Sequence, residues 1–155
     1  MATTPQNNLV RLVGAKKTLS HPVDASGSND FNGGDMLALD AGVLKPLTDA
    51  LADKSVGVAQ DNAYLDLTGD KQYAPQATVV IGAIHSMKTT IADTLTHMLP
   101  VYCGADAQTV VVADPGSGEI VGYAVMRASI TSITGAAGVN VDVLIVPKLP
   151  TPSIA

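Results

Sequence analysis

The stretch 54-KSVGVAQDNA-63 returns sixty-five residues later as 119-EIVGYAVMRA-128. Val56, Gly57, Ala59 and Ala63 fall opposite Val121, Gly122, Ala124 and Ala128. Glycine inside a strand weakens it, and its usual reason is a bulge, a corner or the close approach of another backbone. An alanine two residues on keeps the same region thin. Gly57 and Gly122 are therefore read as structural glycines in two matching strands, where valine would damage the fold without touching any chemistry.

The repeat extends outward from this motif. At the same shift, Asp35-Met-Leu-Ala-Leu lies over Pro100-Val-Tyr-Cys-Gly. Each copy then reads as strand, turn, second strand, spacer and Val-Gly-x-Ala strand. Two such units predict a mainly β protein, a small β-barrel or sandwich with pseudo-duplicated strand units. A solenoid needs at least three repeats. Strands are expected at 35–40, 43–45, 55–60, 77–85, 87–91, 99–103, 108–113, 119–128 and 139–146. In 139-VNVDVLIV-146, Val139, Val141 and Val143 alternate with the period of a half-buried strand. Turns are expected at 39-LDAGVL-44 and 113-ADPGSGE-119. The helix candidates are 46–53, with Pro46 leading, and part of 90–99.

Composition agrees with strands and tight turns. There are eighteen Val, fourteen Thr and fourteen Gly, and thirteen Asp against the single Glu119. Aspartate competes with the helical backbone and favours turns. With no Trp and only Phe31, the core must be built from small aliphatic pieces.

Both ends differ from the middle. Residues 9-LVRLV-13 form a short apolar strand, and 20-SHPVDASGSNDFNGGD-35 reads as a long loop. An N-terminal arm over 1–18, a body over 19–147 and a Pro-rich C-terminal tail over 148–155 follow. The tail region 147-PKLPTPSIA-155 has three prolines and cannot form a central strand.

A net charge of −5 argues against a nucleic-acid partner, which needs clustered Lys and Arg. No apolar run approaches the ~18 residues of a membrane span, and the polar start lacks a signal peptide's apolar block. These features predict a chain made in a cytoplasm, with no membrane partner. Cys103 stands alone, so no intrachain disulfide forms, and it reads as a small buried residue.

Chemistry is hard to place. Gly82-x-x-x-x-Met87-Lys88-Thr89 approaches a phosphate loop, but Met87 stands where a glycine must let the backbone wrap the phosphate. His21, His85 and His97 share no metal spacing, and each reads as a surface or hydrogen-bonded histidine. The stretch 24-DASGSND-30 has alternating oxygen ligands but lacks the sixth-position Gly and twelfth-position Glu of a calcium loop. The expectation is no enzyme, no catalytic residue, no metal and no cofactor.

Gly34-Asp35, Lys45-Pro46, Val56 to Ala59, Pro100 to Tyr102 and Val121 to Ala124 together resemble the capsid decoration, or cement, proteins of tailed bacteriophages. The resemblance covers roughly 33–147, and it departs at 85–98, where a Gly-Asp turn is expected before Pro100. It implies a barrel-like structural protein on the outer surface of the phage capsid, made in the host bacterial cytoplasm. The implied partners are the major capsid protein and copies of itself, in a homotrimer. On that reading Leu9, Val10, Arg11, Leu12 and Val13 form an interface arm that pairs with a neighbour's sheet edge. The alternatives are a tail or baseplate β-module, and a small enzyme with an unrecognised Asp or Cys site.

Overall fold

The computed structural model describes residues 9–89, 94–126, 130–134 and 139–148, with side chains from residue 17 onward. Residues 1–8 and the tail from 149 on lie outside it. The chain forms, in order, β1 (Leu9–Pro22), β2 (Met36–Asp40), β3 (Val43–Pro46), β4 (Ser55–Ala59), β5 (Tyr64–Leu67), β6 (Asp70–Tyr73) and β7 (Gln76–Thr89). β8 (Thr94–Thr96), β9 (Pro100–Cys103), β10 (Thr109–Val111), β11 (Gly122–Val125), β12 (Ser132–Thr134) and β13 (Asn140–Ile145) follow. The protein is mainly β, as expected.

The main sheet runs β10-β9-β11-β13-β7-β4-β2-β3, with β1 on the other side of β7. β10 returns to β7 in parallel, Thr109 beside Lys88 and Val110 beside Thr89, closing a five-stranded barrel. The other half closes the same way through one parallel bridge, Val23 to Leu44. The repeat is thus deeper than strand-turn-strand units: each copy supplies a ring of five strands. β1, β2, β3, β4 and the first half of β7 form one ring. The second half of β7, β9, β10, β11 and β13 form the other.

The pairings superimpose on shifts of 64 to 66 residues. Val79 lies between Leu19 and Ala59, and Val143 lies between His85 and Ala124. Leu37 faces Gly57, and Val101 faces Gly122. Around the turns, Gly34 N–H donates to Ala59 O and Ala59 N–H to Asp35 O. Met98 N–H donates to Ala124 O and Ala124 N–H to Leu99 O in the second copy. Gly34 therefore corresponds to Met98, a shift of 64, which moves the sequence alignment of this turn by one residue.

β7 is the joint. Separate strands at 77–85 and 87–91 were expected, but the strand is continuous because Ser86 pairs with Asp142 inside the ladder. The irregular residue is Gly82, whose φ of +66° suits glycine and whose surroundings are open. Before it, β7 ends the first barrel; after it, β7 begins the second.

The two barrels share packing. Phe31, Leu37, Leu44, Val56, Ala59, Ala63, Ala77 and Val79 fill the first. Met87, Val101, Cys103, Val110, Ala124, Val141, Val143 and Ile145 belong to a second cluster that also takes Met36, Ala38, Leu47, Ala52 and Val58 from the first barrel. A bulge explains how β4 serves both clusters. Leu37 pairs with Gly57 and Ala38 with Ser55, so Val56 is the extra residue and joins the opposite cluster from Val58.

Several local expectations change. The candidate helix at 46–53 is a 3-10 helix over Asp49–Lys54, because Pro46 is the last residue of β3. The second helix candidate contains β8, paired with β12, where β-branched Thr94 and Thr96 favour extended chain. The β5–β6 hairpin was not anticipated; Thr68 and Gly69 both take positive φ at its two-residue turn.

Candidate functional site

β1 is the element on which the sequence places an interface, and its register has two parts. Lys17 to Pro22 pair without slip against Ile81 to Gln76. Leu9, Arg11 and Leu12 pair with His85, Ile84 and Ala83. The N-terminal segment therefore lies on its own chain's β7, and the arm boundary at residue 18 falls inside β1. The long loop begins at Val23, not at Ser20. Between the two parts β1 has four residues, 13–16, where β7 has one, Gly82. Val13 belongs to that excess, and Val10 to a smaller irregularity between Leu9 and Arg11.

Gly57 and Gly122 occupy matching contacts. A Cβ on Gly57 would lie 2.3 Å from Val80 O and 2.8 Å from Val79 Cγ1. A Cβ on Gly122 would lie 2.3 Å from Leu144 O and 2.9 Å from Val143 Cγ1. In each barrel the fourth strand lies tightly on the fifth, which is a packing role.

The titratable residues weighed in the sequence as candidate ligands are dispersed. Gly82 to Thr89 lie within β7, so the near-phosphate-loop stretch forms extended ladder. Asp24 accepts bonds from Ser26 N–H (2.9 Å) and Asn29 Nδ2 (2.5 Å). These bonds hold its carboxyl below the usual range, so its oxygens serve the loop itself. His97 Nδ1 accepts from Met126 N–H at 3.1 Å. His85 departs from expectation: it is buried, neither ring nitrogen has a partner among the described residues, and burial lowers its pKa to about 4. Cys103 is buried with Sγ 3.7 Å from Leu47 O, and burial, then Asp49 and Asp106, push its thiol up to about 12. Among the described residues, no group of three His, Cys, Asp or Glu has the placement to hold a metal.

Two surface features escaped the sequence reading. A cleft of about 370 Å³ gathers Asp30, Asp35, Asp49 and Asp106 beside Tyr64 and Lys71. Asp30 is tied to Lys71 Nζ (2.6 Å) and Tyr73 Oη (2.8 Å), and Asp35 Oδ1 accepts from Gln108 Nε2 (2.8 Å). An acidic lining suits a cationic group better than an anion. The second feature is the β5–β6 hairpin, which exposes Leu65 and Leu67 on one face. Lys71 lies over the Tyr64 ring at 4.5 Å within the hairpin, and the bonds of Lys71 and Tyr73 to Asp30 anchor the hairpin to the loop before β2. Alternation in 64-YLDL-67 before Thr-Gly was the signal available for it. The chain matches no protein-family model, and no curated protein is significantly similar to it.

Proposed function

We propose that the chain is a structural virion protein, a decoration or cement protein on the outer surface of a tailed-phage capsid. It contacts the major capsid protein, associates with its own copies and stabilises the filled head. The single observation carrying this reading is the N-terminal strand. Leu9–Leu12 engage a sheet edge through backbone pairing, the mode by which an extended segment adds to a neighbour. The quoted resemblance supports the reading further, since its motifs fall in β3, β4, β9 and β11 and in the turn before β2. Many modest contacts repeated over a symmetric shell gain from multivalency.

The test is decoration of undecorated expanded heads of the encoding phage. Full-length protein is expected to co-sediment with the heads, and a chain lacking residues 1–14 to bind more weakly while its body stays folded. Electron microscopy is expected to place density on the head exterior. Density confined to a tail or baseplate would replace this reading with a tail module.

A further inference from the structure

We propose that residues 9–12 are an exchangeable strand, which in the assembled protein pairs with the β7 edge of a second copy of this chain. The inference shares with the decoration reading only the premise that this segment engages a neighbour.

The internal duplication shows that the segment is an addition to the fold. In the second barrel the opening strand is the second half of β7, and its outer edge meets β10 only at Lys88 and Thr89. Residues 9–12 cover Ala83 to His85 of that edge. The equivalent edge in the first barrel is Lys17 to Leu19, 66 residues earlier. Among the described residues, no strand pairs with that outer edge, and the chain at the end of β1 pairs with β3 only through Val23 and Leu44. A ring of this design closes without a strand there.

The connection permits exchange. Four residues, 13–16, face the single Gly82, and they include Gly14 and Ala15. Extended, four residues span roughly 14 Å, enough for the segment to leave its own barrel while Lys17–Pro22 stay paired. Exchange keeps every backbone bond and changes only the chain that supplies the strand, which makes it a low-cost route to association. An uncovered edge at Ala83 to His85 would otherwise invite unspecific pairing.

Charge favours the second copy as occupant. Arg11, Lys16 and Lys17 give residues 1–17 a charge of +3, whereas all fourteen acidic residues lie at Asp24 or beyond. With the other six basic residues, 18–155 carry −8 (6 − 14). A basic segment is attracted to the acidic body of a second copy at close range, as it is to its own.

The experiment mixes two full-length single-site variants with different tags, Leu12→Cys and Ala83→Cys, whose positions are direct partners. Partners across an antiparallel pair lie within disulfide reach. Cys103, buried with a raised pKa, stays out of the reaction. After unfolding and refolding together, diamide oxidation is expected to yield a covalent heterodimer carrying both tags, absent from either variant alone. The double variant in one chain is expected to give covalent oligomers on a non-reducing gel. Only monomeric bands, closed within the chain or unbonded, overturn the proposal. Because this test needs no capsid, exchange without head binding would sink the decoration reading alone, and head binding without exchange would sink this one alone.

Discussion

His85 is the residue at which the duplication is least faithful. Its equivalent in the first barrel is Leu19, so an imidazole occupies an aliphatic position, buried and, among the described residues, without a hydrogen bond. A buried unsatisfied polar group costs about 1–3 kcal/mol. An unfolded chain protonates this imidazole below pH 6.5, while the folded chain keeps it neutral to about pH 4. The unfolded state binds more protons across that window, so stability falls by up to about 3 kcal/mol as pH drops from 6.5 to 4, then levels. His85→Leu is expected to melt higher than wild type at pH 7 and to lose the added slope between pH 6.5 and 4. Parallel slopes for the two proteins in thermal melts across that range would refute this.

Met98 is the second departure. It holds the place of Gly34, with φ of +64° where Gly34 has +94°. Left-handed backbone costs a residue with a side chain about 1–2 kcal/mol. Met98 is 46% exposed, so its side chain contributes little packing in exchange. Met98→Gly is expected to stabilise the protein by about 1 kcal/mol in urea titration; an unchanged or lower midpoint counts against the equivalence.

The strand contacts set the next scale. Gly57 and Gly122 let β4 approach β7, and β11 approach β13, at distances no Cβ survives. The obstructing atoms are backbone carbonyl oxygens, so the strands themselves must separate. Gly57→Ala and Gly122→Ala are each expected to cost at least about 3 kcal/mol, toward the severe end of single substitutions, measured by chemical denaturation. A loss under about 1 kcal/mol at either position would mean that its sheet separates easily.

β7 crosses both barrels, and Met36, Leu47 and Val58 of the first pack into the cluster of the second. Each such side chain stabilises by roughly 1.5–3 kcal/mol when buried, and removing one barrel would expose all three. The molecule is therefore expected to unfold in a single transition, with calorimetric and van't Hoff enthalpies equal. Two resolved transitions would show that the barrels are independent.

The sequence by itself determined the β character, the turn between β2 and β3 and the existence of a repeat. Those signals are local: valine-rich alternation, Ala41-Gly42 between β2 and β3, and a glycine at the same point of two motifs. It also singled out Gly57 and Gly122, because a conserved spacing within one chain marks a shared geometric demand. Only the tertiary structure decided what the repeat builds. The unit is a ring closed by parallel contacts, Val23 to Leu44 and Thr89 to Val110, between residues 21 apart in both copies, with no periodicity to announce them. The same holds for the interface segment. Residues 9-LVRLV-13 read as a strand, but its partner is an edge more than seventy residues away, exposed by the way the second barrel closes. Pairing through backbone atoms leaves almost no trace in side-chain identity, so the sequence names the strand and the fold names the edge.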